Sequence, residues 1–130
     1  MVGCRFAHPR AAASDSQDRT AFSRALPRMD GAHLNVTVVE VTYPPGGSSP
    51  PHRHPCPVIG YVLEGAYRTQ VKGGPESILR AGDTFYEEPN GIHLISANAS
   101  DTEPVRFLAT FTCDQEAPLS VAVPESQHRD

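Results

Sequence analysis

The chain has 130 residues, 38% of them hydrophobic, with 13 prolines and 10 glycines. That length supports one domain around a single core, and so turn-rich a composition favours many short strands over long helices. The formal charge of −4 comes without a basic cluster, which argues against nucleic acid or an anionic membrane as partner, and no apolar run approaches the ~20 residues of a membrane helix.

Residues 1–20 are rich in Ala, Ser, Arg and Asp without periodicity and read as a flexible arm; it carries Cys4 and His8 and lacks the apolar core of a signal peptide. Residues 124–130, with His128, read as a flexible tail, which leaves 21–123 as the domain. His33 precedes the first strand and is not expected among the functional histidines. That strand, Leu34–Tyr43, is closed by Pro44-Pro45-Gly46-Gly47. An apolar strand Val58–Leu63 turns at Glu64-Gly65 into Ala66–Val71, and Lys72-Gly73-Gly74-Pro75 turns again before Glu76–Arg80. Thr84–Glu87, His93–Ala97, Val105–Thr112 and Ser120–Val123 complete the set. No segment offers a long stripe of period 3.6, so the expectation is an all-β, antiparallel barrel or double-sheet jelly roll. The first strand is apolar on both faces (Leu34, Val36 and Val38 against Val39, Val41 and Tyr43), and one core covers only one of them, which predicts a homodimer.

The cysteines, Cys4, Cys56 and Cys113, are odd in number and widely spaced, so they do not read as a disulfide framework. A reducing, cytoplasmic location follows as the expectation. The sequons at Asn35 and Asn98 then have no role.

His52 and His54 stand one residue apart in Pro50-Pro51-His52-Arg53-His54-Pro55, and His93 follows on a later strand. On an extended strand, residues i and i+2 share a face, so two imidazoles can aim at one point and His93 can supply a third. Imidazole suits Fe, Cu, Ni and Zn, and three ligands leave coordination positions free for substrate or water.

Residues 46–98 resemble the cupin superfamily. Its first motif sets five residues between a Gly and a His-x-His pair and ends on a later Gly; here these are Gly46, His52, His54 and Gly65. Its second, Gly-x5-Pro-x-Gly-x2-His, maps onto Gly82 through His93, with Glu88 and Asn90 in the Pro and Gly slots, so a distorted turn is expected there. The resemblance implies a double-stranded β-helix with its metal held by His52, His54 and His93. The glutamate ligand that the first motif usually carries is replaced by Val58, and Ile59 beside it cannot ligate either. Three neutral imidazoles leave the charge of a divalent ion uncompensated, which favours an anionic, chelating substrate. Three-histidine sets of this kind resemble those of cupin dioxygenases.

Cys56, at i+2 from His54, is a thiolate ligand or, between two prolines, loop packing. Glu87, alternating with Phe85, orients a metal-bound histidine, acts as general base, or is a solvent-facing residue like Glu88. Gln70 and Arg68 share a strand face opposite in parity to Tyr67, Thr69 and Val71; facing inward, Gln70 would bond substrate and Arg68 pair with an anion. Tyr61 and Phe85 pack, and Arg53 points away from the histidines.

The expected function is that of a small mononuclear metalloenzyme acting on a small molecule. Fe(II) is the favoured metal, for a dioxygenase, with Zn, Ni or Cu open; Glu87 and Gln70 are the catalytic candidates. The alternatives are a non-redox isomerase, cyclase or lyase that uses the metal as a Lewis acid, and a ligand-binding barrel without turnover.

Overall fold

Strand β9 (Val105–Asp114) shows most directly why this sequence makes a sheet. Val105, Phe107, Ala109, Phe111 and Cys113 recur at period two, and all five are buried between half-buried neighbours. A computed structural model of the chain describes residues 16–29 and 31–127; Cys4, His8 and His128 lie outside the described residues.

The other strands are β1 (Leu34–Tyr43), β2 (Ser48–Ser49), β3 (His52–Arg53), β4 (Val58–Glu64), β5 (Ala66–Val71), β6 (Ser77–Arg80), β7 (Thr84–Glu87), β8 (Ile92–Asn98) and β10 (Val121–Ala122). They pair antiparallel into two sheets, one ordered β1-β9-β4-β7 and the other β10-β3-β8-β5-β6, with β2 also on β8. The architecture is the all-β jelly roll that the strand pattern predicts. The two-residue strands β2 and β3 were hidden among the prolines around them, which cannot donate to a ladder.

The core lies between the sheets. Tyr67 of β5 packs at a tilt against Phe107 of β9 with ring centroids 4.2 Å apart and lies 5.3 Å from Phe85 of β7. Gly60 makes room for that layer: a Cβ there would run into the Phe85 ring. On β1, Val39, Val41 and Tyr43 pack against the core, while Leu34, Val36 and Val38 are exposed, Val36 by 68%. Residues 16–29 form no regular element, yet Phe22 stacks on Tyr86 of β7, and Arg24 lies over the same ring and bonds Glu88 at 2.7 Å. The stretch that follows the arm is therefore held against β7.

One expectation is corrected. Cys56 and Cys113 form a disulfide, with their Cα atoms 5.1 Å apart. The pairing of β4 with β9 sets Val58 opposite Phe111, and the same register carried two residues further brings Cys56 to Cys113. The thiol is thus not a metal ligand, and the ground for a reducing compartment is gone.

Candidate metal centre

β3 and β8 are neighbours in register, with His52 directly opposite His93, so their side chains share one face. His54 follows β3 and keeps to that face. The backbone there is pinned by Asn90, whose N–H donates to the His54 carbonyl at 2.6 Å. Asn90 adopts φ of 65°, the left-handed conformation that asparagine tolerates best after glycine. The second motif's glycine slot therefore keeps a glycine-like backbone with a different residue, and the turn holds His93 in place.

The three histidines converge. One nitrogen from each lies within 4.8 Å of those of the others, and His54 and His93 are buried. Outer partners set which nitrogen faces inward. His52 Nδ1 bonds the Pro50 carbonyl at 2.8 Å and His54 Nδ1 the Leu119 carbonyl at 2.6 Å, so both carry their proton outside and turn an Nε2 lone pair inward. His93 Nε2 meets Thr69 Oγ1 at 2.7 Å, leaving Nδ1 to face the site. Each ring is anchored at its rear, which is the arrangement a metal-binding imidazole needs.

Glu87 enters the same space from β7. Its Oε1 lies 3.2 Å from His93 Nδ1 and 3.9 Å from His54 Nε2. Oε1 and His93 Nδ1 are both buried and neither makes a hydrogen bond. A buried, unpaired carboxylate oxygen beside a buried imidazole nitrogen is costly unless a cation or a shared proton sits between them. The donor set therefore fits a divalent ion. Burial pushes the Glu87 carboxyl up, but the facing His93, His54 and His52 outweigh it and hold it below the usual carboxylate range. Burial, reinforced by His93 and His54, lowers His52 below 6.5.

These groups floor a cavity of about 380 Å³. Its walls include Val41, Val58, Phe85, Ala109 and Phe111, and its polar lining adds Ser49, Ser96 and Tyr67. A run of hydroxyls crosses that wall: Ser49 Oγ to Tyr43 at 2.6 Å, Tyr43 to Ser96 at 2.8 Å, and Ser96 to Tyr67 at 2.8 Å. Burial pushes the Tyr67 phenol far up, so it stays protonated.

Of the residues predicted from sequence, the structure brings His52, His54, His93 and Glu87 together. It places Gln70 elsewhere: its amide donates to the Gly74 carbonyl at 3.1 Å, beside a second cavity of about 220 Å³. Arg68 pairs with Glu76 on the outer surface. The inward parity on β5 belongs to Tyr67 and Thr69, the apolar and hydroxyl face, because Tyr67 is the larger hydrophobe and takes the core. Thr69, Ser96 and Leu119 carried no signal that sequence reasoning used.

A family model described as a cupin domain matches residues 39–111, more than half of the chain. The chain belongs to the cupin family. Over 78 residues this cupin is 35% identical to oxalate oxidase 1 of Hordeum vulgare, covering 54% of the chain and 38% of the relative. It thus spans little more than a third of the length of the curated relatives it matches. Among solved structures, it is similar to the DMSP lyase DddQ of Ruegeria pomeroyi (25% identity, TM-score 0.61, 69% of this chain and 44% of the other). It is also similar to the polyketide cyclase RemF of Streptomyces resistomycificus (26% identity, TM-score 0.59, 77% and 70%).

Proposed function

We propose that this cupin is a mononuclear metal-dependent enzyme acting on a small anionic substrate, most simply by an O₂-dependent oxidation. The observation that carries the reading is the convergence of three rear-anchored imidazoles and one buried carboxylate on a single cavity. His52, His54 and His93 would hold the ion; Fe(II) is favoured, with Zn, Ni and Cu as alternatives. When bound, a redox-active ion would supply an electron path between an ionised substrate and O₂. The chain's own residues do the rest. Pro50, Leu119 and Thr69 keep the imidazoles aimed, and Val41, Phe85 and Phe111 exclude water. Ser49 offers a hydroxyl to the substrate's oxygens.

The similarity to an oxalate oxidase supports the oxidative reading. The likeness to a DMSP lyase and a polyketide cyclase favours a second one, Lewis-acid chemistry without redox change. Metal-loaded protein incubated with small carboxylates, enols and thiols, with and without air, separates them. Oxygen uptake coupled to substrate loss is the expected result. Turnover undiminished under anaerobic conditions would overturn the oxidative reading in favour of the second, and tight binding without turnover would overturn both.

The same reading includes a homodimer, supported by the exposed Leu34, Val36 and Val38 on β1, an edge strand. Among the described residues no helix is long and apolar enough to cross a membrane. A cytoplasmic location was expected from unpaired cysteines, and the Cys56–Cys113 bond removes that support.

A further inference from the structure

Val58 and Glu87 sit directly opposite each other where β4 pairs with β7. Opposed residues on antiparallel strands project to the same face, and both line the histidine cavity. The carboxylate missing from β4 at Val58 is thus present one strand over, on β7. We propose that Glu87 is the fourth ligand of the metal, supplied from the neighbouring strand rather than from the histidine motif, so that the centre is a three-histidine, one-carboxylate set. The inference rests on the metal-dependent reading above and gives the site its charge and its preference.

Distances separate this role from that of a carboxylate that merely orients a histidine. Two ligands bound to one ion at about 2.1 Å stand about 3.0 Å apart at right angles and about 4.2 Å apart when opposed. Glu87 Oε1 is 3.2 Å from His93 Nδ1 and 3.9 Å from His54 Nε2, inside that range for both. An orienting carboxylate would accept the rear N–H of one ring. Here the rear nitrogens of all three rings already have other partners, and Glu87 faces the inward nitrogen of His93 without making a hydrogen bond to it. The Glu87 residue is 5% exposed, so solvent offers its orphaned oxygen little. An ion bound by this set carries a net charge of +1 rather than +2. A hard oxygen ligand also moves the preference towards Mn(II) and Fe(II) and away from Cu.

The test uses Co(II) and Mn(II) alone as probes, titrated into metal-free full-length protein. The variants are Glu87→Gln, His93→Ala and the exchange Val58→Glu with Glu87→Val. Loss of an outer-shell partner costs about 10- to 100-fold in metal affinity. Glu87→Gln keeps a carbonyl acceptor in the same place, so an orienting role would survive it within that range and leave the Co(II) visible spectrum unchanged. As a ligand, its replacement should raise the dissociation constant by more than about 100-fold and alter the spectrum. The exchange, which conserves charge and summed volume, should recover most of the affinity. Glu87→Gln binding Co(II) within about 100-fold of wild type and with the same spectrum would overturn the proposal while leaving the three-histidine centre standing. Wild type and His93→Ala that both fail to bind either ion would overturn the metal reading itself. A folded exchange variant that stays as weak as Glu87→Gln would also count against the ligand role.

Discussion

Reduction of the Cys56–Cys113 bond should lower the stability of this cupin substantially. The bond spans 57 residues, a loop that contains Glu87 and His93 as well as strands β4 to β8. Cross-linking a loop of that length removes about 14 cal/mol/K of entropy from the unfolded chain, or about 4 kcal/mol at 25 °C. With a denaturant slope of about 2 kcal/mol per molar urea, the unfolding midpoint should fall by about 2 M when the protein is reduced. Urea melts followed by circular dichroism, with and without dithiothreitol, measure this. The double variant Cys56→Ala with Cys113→Ala should reproduce the reduced curve and be indifferent to reductant. Thiol titration in denaturant should find one reactive thiol, Cys4, before reduction and three after. Three thiols without reductant, or midpoints that coincide within about 0.3 M, would refute the reasoning.

His52→Ala and His93→Ala should each abolish retention of the roughly one equivalent of divalent metal found by elemental analysis of the wild type, since each removes a bond from a set with little redundancy. Metal affinity should fall with pH only below about 6.5: burial first, then His93 and His54, hold His52 beneath that value, so protons compete late. The metal-free fold should lose stability in the same direction. An unfolded His52 takes up a proton near pH 6.5 that the folded one refuses, and below about 4.5 an unfolded Glu87 does so before the folded one; pH-dependent melts test both. Val58→Glu alone should destabilise the metal-free protein by about 1–3 kcal/mol, because it sets a second carboxylate against Glu87 in a buried pair, and added Mn(II) should restore part of the loss. Val36→Lys with Val38→Lys should reduce the mass seen by light scattering from a dimer to the 14.0 kDa chain, with circular dichroism unchanged.

The strand pattern was legible because period two is written plainly in β9, and the His52–His54 pair because its spacing gives both one face; the β3–β8 register adds His93. What stayed hidden depended on pairing between distant strands. Nothing near Val58 in the chain says that Glu87 lies across from it; the β4–β7 register does. The disulfide was missed for the same reason, since an odd count and a separation of 57 conceal a pair that the β4–β9 register makes adjacent. Gln70 was favoured inside by the cupin resemblance and Arg68 left open, whereas β5 turns Tyr67 and Thr69 inward, and a register irregularity between Gln70 and Val71 blurs the alternation just there. The second motif's altered turn survived because Asn90 can adopt the backbone that glycine would have supplied.

The hydroxyls Ser49, Tyr43, Ser96 and Tyr67 have one proton each and three links between them, so the row can point in either of two directions. In one, Ser49 donates down the row and shows the cavity only lone pairs; the Tyr67 proton is then left over and must turn towards His93 Nε2, 3.4 Å away. In the other, Tyr67 donates to Ser96 and the spare proton emerges at Ser49. A cation held on His93 Nδ1 keeps the proton on Nε2, which closes the first direction. Binding an ion would then turn Ser49 from acceptor to donor on the cavity wall, readying it for a negatively charged guest only after the ion is in place.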